Sequence, residues 1–356
     1  MTFFKRYRRI IFVILTAVLI ILAYSKFSEI RLLRQFFAQS SLPFLATVVG
    51  IQLLQYLFNS LNYREILAMK GYRIPFWELY PIEFVIQFIS QAIPTAHVSG
   101  QIFFIYYLRK YGVGLKEAIG RAILEVASLY IAYTTFFIVC AIILIWANVF
   151  SKTPELVVFI YGFLIFIGIC AMVLMLSQER RSETWIDWFL DRTLKKLKNS
   201  KIMELPGLRT LTNHSEHFVM IKEQFRETLN IKTLKRQWEF FGRAIVWQEL
   251  LLLCNVFTLW VISYALGNPM PFTICFIAYT LSKFLSMISV IPGAPGVFEG
   301  AMTLILVSFG IETGPALAAA VLTRAFTFWL PMPIGWFLYG HYMKKIAALD
   351  DKVIVS

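Results

Sequence analysis

Charge is what this sequence has least of: Asp, Glu, Lys and Arg make up 15% of the 356 residues, against 58% hydrophobic residues. With a mean hydropathy of +0.68, that shortage excludes an ordinary soluble globular domain and leaves a polytopic membrane protein. Cysteine is scarce as well. Cys140, Cys170, Cys254 and Cys275 lie in apolar segments without a CxxC pair, which argues against a zinc module and gives them a packing role. A Walker loop, a GxGxxG turn and a Ser/His/Asp order are all missing, so no cofactor and no nucleotide or hydrolase chemistry is expected. His214 and His217 flank Glu216, but His-x-x-His without further ligands is not a metal site.

What charge there is leans basic, with 34 Lys and Arg against 21 Asp and Glu, a formal net charge of +13. The basic residues sit in short segments between apolar runs, where they set orientation and attract anionic lipid. Nucleic acid is not an expected partner.

Proline and glycine mark the segment around which the rest is arranged. Ser289 to Gly300 packs Pro292, Pro295, Gly293, Gly296 and Gly300 into an apolar region, with the carboxylate Glu299 near its end. No uninterrupted membrane helix carries that composition, and broken backbone at membrane depth is stable only where protein buries it or it lines a polar cavity. The punctuation occurs once before: Pro94 falls on Pro292, Gln101 on Glu299, Gly112 on Gly310, Ala118 on Ala316 and Leu124 on Leu322. Each copy reads as an apolar run, a Pro break, a short apolar return, a Gly turn and an Ala-led helix.

Taken in order, Lys5, Arg6, Arg8 and Arg9 precede the run Ile10 to Tyr24, read as an uncleaved first span entering from the cytoplasm. An amphipathic piece, Lys26 to Ser41, leads to a span at Leu42 to Asn62. The first broken unit, Pro75 to Arg109, is expected to be re-entrant, because its return arm is too short to cross a core of about 30 Å. Spans follow at Ala118 to Trp146 and Pro154 to Leu176, then a basic cytoplasmic helical insertion at residues 177–238 that includes Lys195, Lys196 and Lys198. A span at Phe240 to Leu266, the second broken unit at Pro271 to Phe309 and a span at Pro315 to Tyr339 that returns inward complete the chain. The expected fold is an all-α polytopic membrane protein with six full spans and two re-entrant broken hairpins. Residues 1–356 form one integral membrane domain, with repeats at 42–148 and 240–342 entering from opposite faces as an inverted repeat. Both termini are expected in the cytoplasm and the protein in the inner membrane.

The motif Pro292-Gly293-x-x-Gly296-x-x-Glu299, with Arg324 on the following helix, resembles the lysylphosphatidylglycerol synthase transmembrane or flippase-like family over about Leu42 to Tyr342. The resemblance implies lipid handling at a broken-helix site, and the soluble aminoacyltransferase domain of such synthases is expected to be absent. Where that family carries a Gly-Glu pair and a later Glu-Arg pair in its first copy, this chain has Gly100-Gln101 and Glu125-Val126.

The substrate-binding residues expected are Glu299, Arg324, Lys283, Pro292, Gly293 and Gly296 in the second copy, and His97, Gln101, Glu83 and Glu125 in the first. Charges at bilayer depth need partners or water, and mark functional sites by default. Arg324 or Lys283 would meet a lipid phosphate with Glu299 balancing their charge. The bland alternative is an ion pair locking the hairpin to the last helix. Arg121 and Glu125, with Glu117 a turn earlier, share a helix face and read as a self-contained surface ladder. His97 reads as a hydrogen-bonder filling the first break. The function expected is transport or flipping of a lipid-linked anionic headgroup, without enzymatic activity. The partners are membrane lipids, of the anionic or modified phospholipid class, and a cell-envelope synthesis enzyme. Two other readings stand beside it: a membrane-embedded headgroup transferase, and a non-catalytic accessory subunit docking through the basic insertion.

Overall fold

The computed structural model describes residues 42–92, 98–146, 224, 227–228, 231–288 and 296–353. The expected first span, the amphipathic piece, the span from Pro154, most of the insertion and the two Pro breaks themselves lie outside these residues. The described chain is helical, with no strand among the described residues: α1 (Leu42–Ala68), α2 (Phe76–Ala92), α3 (Val98–Arg109), α4 (Leu115–Trp146), α5 (Ile231–Arg236), α6 (Trp238–Ala265), α7 (Phe272–Ile288), α8 (Val297–Ser308), α9 (Thr313–Arg324), a π turn (Ala325–Trp329) and α10 (Pro331–Val353). Four continuous helical stretches among them are long and apolar enough to cross a membrane: residues 43–68, 115–146, 238–265 and 313–342. The chain is an all-α, multi-pass membrane protein.

The same devices recur in the two halves, each for a local reason. α1 and α6 both end in a reversal that needs a left-handed residue, supplied by Gly71 at φ 79° and Gly267 at φ 71°. The amide of Tyr72 then closes on the Leu67 carbonyl at 3.2 Å and that of Asn268 on Ser263 at 3.1 Å, the bonding of a Schellman cap. Proline opens the next helix in both places. Pro75 precedes α2 and Pro271 precedes α7, and the Pro carbonyl accepts the amide three residues on at 3.0 Å in each.

α2 and α7 are both 17 residues long, and α3 and α8 both 12. At 1.5 Å per residue these arms reach about 25 Å and about 18 Å, short of a hydrocarbon core of about 30 Å. Instead α2 packs against α3 and α7 against α8, as hairpins. The Ser99 hydroxyl ties the first pair by donating to the Ile89 carbonyl at 3.1 Å. A second left-handed glycine ends each return arm, Gly112 at φ 74° and Gly310 at φ 86°, again under a cap, Val113 to Leu108 and Ile311 to Leu306. The helix bounds place the longer break in the second half, so one register does not align both arms.

The halves exchange their closing helices. Ala132, Phe136, Cys140 and Leu144 of α4 are buried in the core built by α6, α7, α8 and α9. Met332 and Tyr342 of α10 are buried in the core of α1, α2, α3 and α4. Between the halves α1 and α6 run together, joined by polar contacts: Gln52 donates to Thr258 at 2.8 Å and Asn62 to the Ala244 carbonyl at 2.8 Å, while Asn62 also donates to Ser128 of α4 at 3.0 Å. Each bond satisfies a group that would be costly alone in lipid. The end of the insertion lies on α4, where Gln224 and Thr228 stand against Gly120.

The last expected span falls within a continuous helical stretch at residues 313–342; inside it the helix widens into a π turn at Ala325–Trp329, and the Leu330 amide reaches back five residues to the Ala325 carbonyl at 2.8 Å. Pro331 and Pro333 explain it, because each lacks an amide and crowds the carbonyl four residues before it.

Candidate functional site

α8 begins at Gly296, whose φ of 84° places its amide over the third helical residue. That amide donates to Glu299 Oε2 at 2.7 Å, so the carboxylate caps its own helix where the dipole favours negative charge. The other carboxylate oxygen faces Arg324, with Arg324 Nε 3.6 Å from Glu299 Oε1. This is an ion pair longer than a hydrogen bond, and both side chains are buried, at 3% and 7% exposure. The Arg324 guanidinium lies 5.1 Å from the Phe298 ring and 4.1 Å from that of Phe328. Aromatic faces stabilise a cation in this position. Phe328 belongs to the π turn, so the widened turn contributes a face of the arginine's surroundings.

Lys283 of α7 joins them. Its Nζ lies 6.0 Å from the Tyr133 ring of α4, and it feels the charge of Arg324. No carboxylate among the described residues pairs with Lys283, so a second cation stands near the Arg324–Glu299 pair. Beside Arg324, the buried Thr323 hydroxyl has no partner. The sequence-predicted residues Glu299, Arg324, Lys283 and Gly296 are therefore brought together, while Pro292, Gly293 and His97 lie outside the described residues. Glu216, His214 and His217 also lie outside them, and no metal-ligand cluster occurs among the described residues.

The first half differs from expectation. Arg121 and Glu125 are not a surface ladder, since both are buried at 4% exposure. Arg121 turns to α1, donating to the Ile66 carbonyl at 3.0 Å and pairing with Glu117 at 3.5 Å. Glu125 turns the other way. It accepts from Gln101 of α3 and, at 3.5 Å, from Gln248 of α6. Gln248 also donates to Asn59 at 3.1 Å, and Asn59 and Tyr63 of α1 lie beside Glu83 of α2. Glu83, Gln101 and Glu125 thus meet in one buried cluster. Sequence reasoning missed Asn59, Tyr63 and Gln248; an amide side chain within an apolar span was the available signal.

Glu78 serves the rim of this half, taking the Tyr111 hydroxyl at 2.7 Å and Lys110 at 3.8 Å. Burial pushes the Tyr111 hydroxyl up to about 12, which keeps it a donor at any physiological pH. At the insertion, the hydrogen bond from Lys116, 3.3 Å away, holds the Glu227 carboxyl below the usual range.

Known proteins resemble this chain in sequence. A UPF0104 membrane protein of Methanocaldococcus jannaschii is 20% identical over 292 residues, 80% of this chain and 81% of that protein. Another, from Pyrococcus horikoshii, is 27% identical over 116 residues, 32% of this chain and only 34% of its own length. The family model described as the lysylphosphatidylglycerol synthase TM region matches residues 9–335. That range contains both broken hairpins and all of the buried charges described above, and the chain belongs to the lysylphosphatidylglycerol synthase transmembrane-region family, a membrane family linked to lipid handling.

Proposed function

We propose that this protein moves an anionic lipid headgroup across the membrane, binding its phosphate between Lys283 and Arg324. The observation that carries this reading is a second cation, the half-buried Lys283, standing near the buried Arg324–Glu299 pair with no carboxylate partner among the described residues. A phosphate supplies the missing negative charge, and a bidentate guanidinium suits it. Glu299 holds Arg324 in place while the site is empty. The wider fold in this reading is six spans with two re-entrant hairpins in an inverted repeat, supported by the paired arm lengths, the matching glycine caps and the exchanged closing helices. Broken helices meeting substrate near the membrane centre are a transporter plan.

Purified protein in liposomes is expected to speed leaflet exchange of a fluorescent phosphatidylglycerol over a zwitterionic lipid, without soluble partners. Lys283→Gln should cut the anionic rate about tenfold or more, as loss of a charge-assisted contact does, and shrink the preference for the anionic lipid. No exchange above protein-free liposomes would sink the reading; exchange only after adding a soluble synthesis enzyme would favour an accessory role.

Orientation is open to a separate check. Asn268, exposed beyond the end of α6, and Lys235, exposed before its start, fall on opposite faces if the positive-inside rule holds. In intact cells Asn268→Cys should react with an impermeant thiol reagent and Lys235→Cys should not. Reversed labelling would remove the argument for hairpins entering from opposite sides.

A further inference from the structure

The first half has the opposite imbalance. Glu83 and Glu125 are buried within electrostatic reach of each other, and no Lys, Arg or His among the described residues approaches either. The groups facing them come from α1, α3, α4 and α6: Tyr56, Asn59 and Tyr63 of α1, Gln101 of α3, Tyr133 of α4 and Gln248 of α6, while α10 brings Gly335 against α2 at Phe84. None is a cation. Independently, the cluster contains acceptors that lack a donor. Glu83 Oε2 has none, and neither do Gln101 Oε1 and Gln248 Oε1. The amide orientation of Gln248, 1% exposed, is set by its donations to Asn59 and Glu125, which leaves its carbonyl oxygen beside the carboxyl with nothing to accept. What the cluster lacks is a hydrogen on an acid.

We infer that Glu83 and Glu125, with Gln101 and Gln248, form a proton-binding site whose loading drives headgroup movement at Lys283 and Arg324. Two carboxylates sharing a water-poor site do not both ionise; they hold a proton between them. Uptake converts one carboxylate to a carboxylic acid, whose hydroxyl supplies one donor that one of the orphaned oxygens accepts. Release restores the negative charge and the repulsion. No other bond is made or broken. The physical route to the second half runs through the residue after Glu83: the Phe84 carbonyl lies against Gly335 of α10, and α10 continues from the π turn that follows Arg324. Gln248 provides a second route, since α6 opens the second half and also packs on α9.

This inference rests on the transport reading, so its test has one arm that does not need transport. Infrared difference spectra of the purified protein titrated through neutral pH should contain the stretching band of a protonated carboxyl group, shifted in Glu83→Gln and in Glu125→Gln and lost when both are replaced. In liposomes with one proton moved per lipid, a gradient of one pH unit should drive about a tenfold leaflet asymmetry of fluorescent phosphatidylglycerol. A protonophore should abolish that asymmetry, and in either variant whatever exchange remains should be equal with and without the gradient. Exchange in the wild type that ignores the pH gradient, or follows a sodium gradient instead, overturns the inference while leaving the transport reading intact. If no exchange occurs under any condition the transport reading fails, and absence of the carboxyl band overturns the proton site on its own. Should one Gln variant fail to fold, the other and Glu125→Asp, which retains an acid, still decide the assignment.

Discussion

Arg324→Gln is expected to reduce anionic lipid exchange by about a hundredfold, because removing one partner of a buried ion pair strands the other at a cost of about 3–5 kcal/mol. Glu299→Gln should be nearly as damaging to the pair yet gentler to the fold. A glutamine carbonyl still accepts the Gly296 amide that Glu299 accepts at 2.7 Å, so the cap of α8 survives while the charge is lost. The double replacement separates structure from substrate binding. If the pair only locks α8 to α9, removing both charges should restore thermal stability and most of the exchange rate, as buried pairs are often replaceable without net loss. If Arg324 meets phosphate, the double variant should be as stable as wild type and still inactive. Single variants with normal stability and normal exchange would exclude both roles.

The second large effect is expected from one methyl group at Gly335. A Cβ there would overlap the Phe84 carbonyl oxygen and Phe88 Cβ, and a backbone carbonyl in a helix does not move aside as a side chain does. Gly335→Ala should therefore force α10 away from α2 and lower stability by about 1–3 kcal/mol, read as a reduced melting temperature in detergent. Gly340, on the same helix with open space around it, is the matched control. Gly340→Ala should leave the melting temperature unchanged or raise it slightly through helix propensity. Equal effects at the two sites would mean that the α2–α10 approach contributes nothing to stability. Gly100 provides a parallel case, since its Cβ would meet Ser90 Oγ and the Ile86 carbonyl.

Some of this was legible from sequence for identifiable reasons. Proline and glycine in an apolar run leave few backbone choices, so the hairpins and their closing glycines, Gly112 and Gly310, could be found without coordinates. Glu299, Arg324 and Lys283 stood out because charge in apolar sequence is rare. The first-half cluster was harder to see. Gln101, Gln248 and Asn59 carry no charge, come from three helices, and have no mutual spacing along the chain. Glu125 was assigned to Arg121 because they are a turn apart, but helix neighbours need not pair when each has a better partner across the bundle. Arg121 finds the Ile66 carbonyl and Glu125 finds two amides. The π turn was signalled by Pro331 and Pro333, whose effect on the preceding carbonyls was overlooked. The approach of Gly335 to Phe84 joins residues that nothing in the sequence relates.

That π turn also gives α10 something a plain helix would lack. It stores one residue more than an α turn, and returning it to α geometry would twist everything beyond it by about 100° and slide it by about 1.5 Å along its axis. Such a screw would swing Gly335 off the Phe84 carbonyl and bring a bulkier neighbour round in its place. With α2 docked, the thread is jammed; with α2 withdrawn, it is free to turn. In such a motion α2 would act as a catch on α10, and the wound turn behind Arg324 would be the part that unwinds.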